Sequence, residues 1–225
     1  MNHEIINQIN SHVDNFRLYF KGDYLFLPTA DLKEIERFEK RFSIKIPDDF
    51  KWFLLNIANG IINTESHDFN VLDKINFSNY YYEENEFNPS LPFRLNNEFN
   101  FNTDEYEDFI NGTIHLAGYG CGCYSFLVVN GKEYGNVWID NYASNSEVTP
   151  EKNEKKDRLH FHDWLAKEIN FMISQKEESK KFRQKQYQKQ KEEVQKHYLN
   201  MKNVFEAISP QPSLSVLERI KKIFK

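Results

Sequence analysis

The sequence predicts an α+β domain with a central, mostly antiparallel sheet, helices packed on it, and a helical C-terminal extension. Three observations carry that expectation. Apolar residues recur every three or four positions between residues 4 and 57, glycine-punctuated alternating segments follow between 113 and 140, and beyond 174 the composition turns to Lys, Gln and Glu. The first pattern marks amphipathic helices, the second strands and hairpins, and the third builds no core of its own.

Ile5, Ile6, Ile9, Val13, Phe16 and Phe20 fall at helical intervals over residues 4–20, and Lys21-Gly22-Asp23 ends that helix in a turn. After Pro28, either Thr29 or Asp31 can cap a second helix, whose Leu32, Ile35, Phe38 and Phe42 oppose Lys33, Glu34, Arg37 and Lys40. Proline has no donor to lose at a first helical position. Pro47-Asp48-Asp49 therefore reads as a helix start with acids in its first turn, Phe50, Phe53, Leu54 and Ile57 as the buried face, and Asn59-Gly60 as a left-handed stop.

Segments 69–72 and 75–77 are strand candidates in an otherwise irregular region, and Asn102-Thr103-Asp104-Glu105 reads as a helix cap ahead of Tyr106, Phe109 and Ile110. Residues 113–117 then form a strand, 118–122 a glycine-dense turn and 124–129 a second strand. Asn130-Gly131 is a tight-hairpin dipeptide, since both residues tolerate positive φ, and 135–140 returns as a third strand. A polar linker at 143–157 leads to a helix with apolar residues at 161, 164, 165, 169 and 172. Ser209-Pro210-Gln211-Pro212 breaks the helical pattern, and Ser215 with Glu218 makes a capping box for a last amphipathic helix bearing Leu217, Ile220, Ile223 and Phe224. The expected organisation is a domain over 1–174 and a basic helical extension over 175–225.

The 225-residue chain is 40% hydrophobic, with 20 Phe, 12 Tyr and 3 Trp, so large rings build the core of an otherwise polar sequence of mean hydropathy −0.73. Neither a signal peptide nor an apolar run of about 20 residues is visible, which predicts a cytoplasmic protein without a membrane partner. Cys121 and Cys123, one residue apart, cannot staple a scaffold and read as free thiols. The formal charge of −5 divides unevenly. Residues 175–225 hold 13 basic and 6 acidic side chains, leaving −12 on residues 1–174. Of that, residues 65–112 supply −9, with eleven acids against Lys74 and Arg94. A concentrated negative stretch repels nucleic acid and steers cationic partners toward it.

Four segments, in order, resemble the SUKH superfamily, the Smi/Knr-type domain of bacterial immunity proteins and fungal cell-wall regulators. They are Ile35-Glu36-Arg37-Phe38-Glu39-Lys40-Arg41-Phe42; Ile46-Pro47-Asp48-Asp49-Phe50-Lys51-Trp52-Phe53-Leu54 with Asn59-Gly60; Ile114-His115-Leu116-Ala117-Gly118-Tyr119-Gly120-Cys121-Gly122, running through Tyr124 to Gly135-Asn136-Val137-Trp138; and Phe161, Trp164 and Leu165. The resemblance covers about 28–173. Cys123 stands where the family often carries an acid, and the tail lies outside the pattern. The resemblance implies a mixed α+β fold, no catalytic constellation and no cofactor, and an immunity protein that binds a cognate toxin. The alternative it leaves open is a scaffold or regulatory protein-binding module. The charge map adds a mechanism, because a nuclease toxin is often basic and an acidic face can cover its phosphate-holding site.

The partner-binding candidates are Tyr80, Tyr81, Tyr82, Glu83, Glu84 and Glu86, which join rigid aromatic area to negative charge, and Asp104, Glu105, Glu107 and Asp108. Both sets have a plainer reading: the tyrosines can alternate into the core, and acids stabilise a helix's first turn. Cys121, Cys123, His115, His160, His162 and Asp163 are the one cluster suited to catalysis or zinc. Its spacing matches no common zinc motif, and buried or turn cysteines with surface histidines are the favoured reading. Gly118, Gly120 and Gly122 lie between strands, whereas a phosphate cradle opens a helix. The basic tail can bind nucleic acid, a membrane surface or the acidic domain; its Glu and Gln content argues against a nucleic-acid arm and favours docking on the acidic domain or mobility in solvent. No nucleic acid is therefore expected as partner, and the oligomeric state is open.

Overall fold

The computed structural model describes residues 2–65, 70–78, 80, 88–96, 99–100, 110–145 and 147–208. The chain falls into two compact units, Met1–Ile173 and Ser174–Lys225.

In the first unit, α1 (His3–Tyr19) is capped by Asn2, whose Oδ1 accepts the Glu4 N–H at 3.1 Å, and it buries Ile9, Val13 and Phe16. Strand β1 (Tyr24–Phe26), unforeseen in the sequence, pairs antiparallel with β2 (Ile61–Asn63). Of the two possible caps for α2 (Leu32–Phe42), Asp31 is used; its carboxylate accepts the Lys33 N–H at 2.6 Å. Helix α3 (Asp48–Asn56) follows Pro47, which occupies the N-cap rather than the first helical position, and buries Phe50, Phe53 and Leu54.

Against the expectation of strands at 69–72 and 75–77, the described residues 70–72 and 75–77 form no strand. Phe69 lies outside the described residues, and Leu72 makes a single bridge to Ile61. Ile75 and Phe77 are buried in irregular chain, held where Asn59 Nδ2 donates to the Ile75 carbonyl at 2.9 Å. Asn59 is thus a clamp between segments rather than part of a simple helix stop.

Among the described residues the main sheet runs in the order β3-β7-β6-β5-β4, with every pair antiparallel. Its strands are β3 (Phe99–Asn100), β4 (Thr113–Gly120), β5 (Cys123–Val128), β6 (Val137–Asp140) and β7 (Glu147–Pro150), with the short α4 (Tyr142–Asn145) before the last. The region expected to be a polar linker therefore contributes a strand, its Val148 buried among aromatics. Alternation along the strands places Leu127 and Val137 in the larger core, and Phe126, Val128 and Trp138 in a second cluster with Phe93 and Ile110. Both faces of the sheet are thus covered. A register shift between His115 and Ala117 lets Ile114, Leu116 and Ala117 all join the larger core.

The Asn130-Gly131 pair does not form the expected two-residue hairpin turn. The β5–β6 connection closes where the Gly135 N–H bonds the Val128 carbonyl, and Gly131, at φ +117°, bridges to Phe93. A β-carbon at Gly131 would meet the Phe93 carbonyl oxygen at 2.7 Å, so the glycine serves a close backbone approach.

Helix α5 (Phe161–Ile208) buries Phe161, Trp164, Leu165 and Ile169 in the first unit; full burial of such a side chain stabilises by about 1.5–3 kcal/mol. The described helix of the second unit exposes Phe182, Tyr187, Val194, Tyr198, Leu199 and Met201.

Candidate functional site

Of the residues expected at a partner surface, Tyr80 is described. Its ring stands edge-on to Phe38 and Phe42, with centroids 5.1 and 6.0 Å apart. Burial pushes its phenol up against the opposing effect of a backbone hydrogen bond at His115. Tyr81, Tyr82, Glu83, Glu84, Glu86, Asp104, Glu105, Glu107 and Asp108 lie outside the described residues.

The cysteine–histidine cluster is dispersed into separate structural roles. Cys121 is exposed in the β4–β5 turn at φ 53°, not on a buried strand face, and Cys123 Sγ lies 3.1 Å from Ser144 Oγ. His115 Nε2 pairs with Asp73 at 2.8 Å. Among the described residues no group of three or more His, Cys, Asp or Glu is placed to hold a metal ion. His162, read from sequence as a surface residue, is largely buried, its side chain 14% exposed.

What the fold does assemble is a polar joint between the starts of α3 and α5. Asp49 Oδ2 accepts the His162 backbone N–H at 3.1 Å and lies 2.9 Å from His162 Nδ1, while Asp49 Oδ1 accepts the Phe50 N–H. Burial would raise the Asp49 carboxyl, but the hydrogen bonds and charge of His162 outweigh it and hold the group below its usual value. The hydrogen bond to Asp49 raises His162 against the opposing effect of burial. Both effects favour an imidazolium–carboxylate pair. Nearby, Glu39 accepts the Ile46 N–H at 2.9 Å and pairs with Lys51 at 2.8 Å; these contacts overcome its burial and lower its pKa.

Two depressions adjoin this joint, with Tyr134 in the wall of both. One is a groove of about 890 Å³ between the end of α2 and the β5–β6 loop; the other is a hollow of about 380 Å³ bordered by Asp48, Asp49, His160 and His162. The loop that presents Tyr134 is braced on three sides. Gly131 abuts Phe93, Glu133 pairs with Arg158 at 3.3 Å, and the Gly135 carbonyl accepts from His160 Nδ1 at 3.0 Å. Tyr134 itself is 43% exposed. A half-exposed tyrosine on a rigid loop between two depressions is suited to binding, since little order has to be imposed on it.

The SMI1/KNR4 family (SUKH-1) model matches residues 29–167, more than half of the sequence. The chain belongs to the SMI1/KNR4 family. The family segment takes in α2, α3, the main sheet and the first turns of α5, so the Asp49–His162 joint and the Tyr134 loop both lie within it. Helix α1, which adds Asn2 and Ile5 to the wall of the smaller hollow, lies outside it, as does the helix beyond 167. No curated protein and no solved structure matches the chain significantly.

Tyr134 carried no signal in the sequence, where it sits one residue before a segment read as strand. Asp48 and Asp49 were legible only as acids of a helix's first turn. Nothing local links Asp49 to a histidine 113 positions away.

Proposed function

We propose that the chain is a non-enzymatic immunity protein of the SUKH type that binds and neutralises a cognate bacterial toxin through an acidic surface. Family membership carries the reading. The charge distribution gives it a chemistry: residues 65–112 hold −9 of the −12 on residues 1–174, which favours a basic partner such as a nuclease that must hold phosphate. Tyr80, Tyr81, Tyr82, Glu83, Glu84, Glu86, Asp104, Glu105, Glu107 and Asp108 are the contact residues this reading proposes. The domain over 1–174 is the neutralising part, and it acts in the cytoplasm, where the toxin would be active.

The test is binding of the full chain to purified candidate toxin domains from neighbouring genes of its host, measured by calorimetry at about 50 and about 500 mM salt. The expected result is stoichiometric binding that weakens at least tenfold at the higher salt, with loss of binding when Glu83, Glu84 and Glu86 are changed together to Gln. Tight, salt-insensitive binding, or none, contradicts the acidic-surface mechanism.

One observation favours a scaffold or regulatory module as the second reading. Among the described residues, the helix beyond the family segment exposes seven large apolar side chains, four of which, Tyr187, Val194, Tyr198 and Met201, fall on one side at helical spacing and suit contact with another protein. Removing 175–225 separates the two: the immunity reading expects toxin binding to persist, and the scaffold reading expects partner binding to be lost.

A further inference from the structure

The smaller hollow beside Tyr134 is lined by both carboxylates and neutral polar side chains. Three helices begin at its rim, and helix starts ordinarily attract anions. Here each start has already received a side-chain acceptor. Asn2 Oδ1 takes the Glu4 N–H of α1, Asp49 Oδ1 takes the Phe50 N–H of α3, and Asp49 Oδ2 takes the His162 N–H of α5. The His162 ring is committed as well, with Nδ1 on Asp49 and Nε2 3.5 Å from Asp163.

Acceptors remain. Asp48 is an exposed carboxylate with no partner among the described residues. His160 donates through Nδ1 to the Gly135 carbonyl, which leaves Nε2 as an acceptor in the neutral ring. Tyr134 offers a half-exposed aromatic face. The side-chain donors of Asn2 and Tyr134 on the wall are both neutral. The carboxylates of Asp48, Glu39 and Asp49 add to burial in raising the Tyr134 phenol, as a negative local field would.

We infer that this hollow receives a cationic side chain, arginine or lysine, from an extended segment of the partner, seated on the Tyr134 ring and paired with Asp48. A carboxylate and an aromatic face together are a recognised setting for such a group. The hollow's 380 Å³ lies within the range of small-ligand sites. The larger groove on the other side of Tyr134 holds Lys40 and Lys45 beside Glu36 and Glu39, so the cation is directed to the Asp48 side. Asp48, Tyr134 and His160 lie in the family segment, and Asn2 and Ile5 of α1 add to the wall from outside it. The inference rests on the reading of the partner as a basic protein.

The test is an NMR titration of the full-length, ¹⁵N-labelled chain with N-acetyl-arginine methylamide and, in parallel, with its neutral citrulline isostere. The expected result is that the arginine probe shifts the resonances of Tyr134, Gly135 and His160 and binds at least fivefold more tightly than the citrulline probe. Asp48→Asn should remove the difference between the probes. Tyr134→Ala should weaken the arginine probe severalfold, and Tyr134→Phe should retain it. Preserved His162 ring signals certify the fold of each variant. Equal binding of the two probes, shifts located elsewhere, no shifts at all, or an Asp48→Asn variant that binds like the parent overturns the inference. Each of those results leaves toxin neutralisation standing as a separate question. Probe binding without any toxin binding would instead contradict the function proposed above.

Discussion

Asp49 and His162 show how much one pair of side chains can fix. Their contacts tie the first turn of α3 to the first turn of α5, and both side chains are mostly buried, 11% and 14% exposed. Removing one partner leaves a charge with poor solvation, so Asp49→Asn or His162→Ala should destabilise by about 2–4 kcal/mol in urea unfolding. The pH dependence follows from two shifts of opposite direction. Asp49 is held below its ordinary 3.8, so its contribution is present above that value and is lost as pH falls through the lowered one. His162 is raised above 6.5, so its contribution is present below 6.5 and is lost as pH rises through the raised value. The pair's contribution is therefore fully present between about pH 3.8 and 6.5. The stability difference between parent and His162→Ala should be greatest there and shrink on both sides.

At the scale of elements, the root of α5 carries a second titrating group with the opposite consequence. Burial, reinforced by Glu151 and only partly opposed by Lys167 and a hydrogen bond with Tyr119, raises Glu168 to about 7. Between its ordinary 4.5 and about 7 the folded chain keeps a proton that the unfolded chain has lost, so this group's effect on stability becomes more unfavourable as pH rises across that window. Glu168→Gln should accordingly stabilise the protein at pH 8 by on the order of 1–3 kcal/mol, while changing little at pH 4. A thermal or urea series at the two pH values checks it; equal effects at both would contradict the placement of this carboxyl.

The helices were largely legible because each buries one face, and a 3.6-residue period survives in the sequence: Ile35, Phe38 and Phe42 are buried as their spacing requires. The short elements were not. β1 and β2 have three residues each, too few to establish an alternation, and β7 was hidden in a segment of polar composition because only Val148 and Pro150 face inward. Asn130-Gly131 misled for a physical reason: its freedom of φ serves an approach to Phe93, a distant partner that no local motif encodes. The candidate site suffered in the same way. Tyr134, Asp48 and His160 meet only after α3, the β5–β6 loop and the start of α5 have packed.

For the whole molecule, the net charge of −5 conceals a domain region at −12 and an extension at +7. A uniformly mild charge would give no reason to expect a particular partner, whereas this separation gives residues 1–174 the character needed to attract a basic protein at long range. The family segment supplies the scaffold, and α1 and the helix beyond 167 lie outside it. The central claim is neutralisation, and cell survival reads it most directly. The full chain should restore growth to bacteria expressing a toxin domain taken from the neighbouring genes of its host, and the variant with Glu83, Glu84 and Glu86 changed to Gln should protect less while remaining soluble. Continued growth arrest in the presence of abundant, soluble, full-length chain would contradict the account.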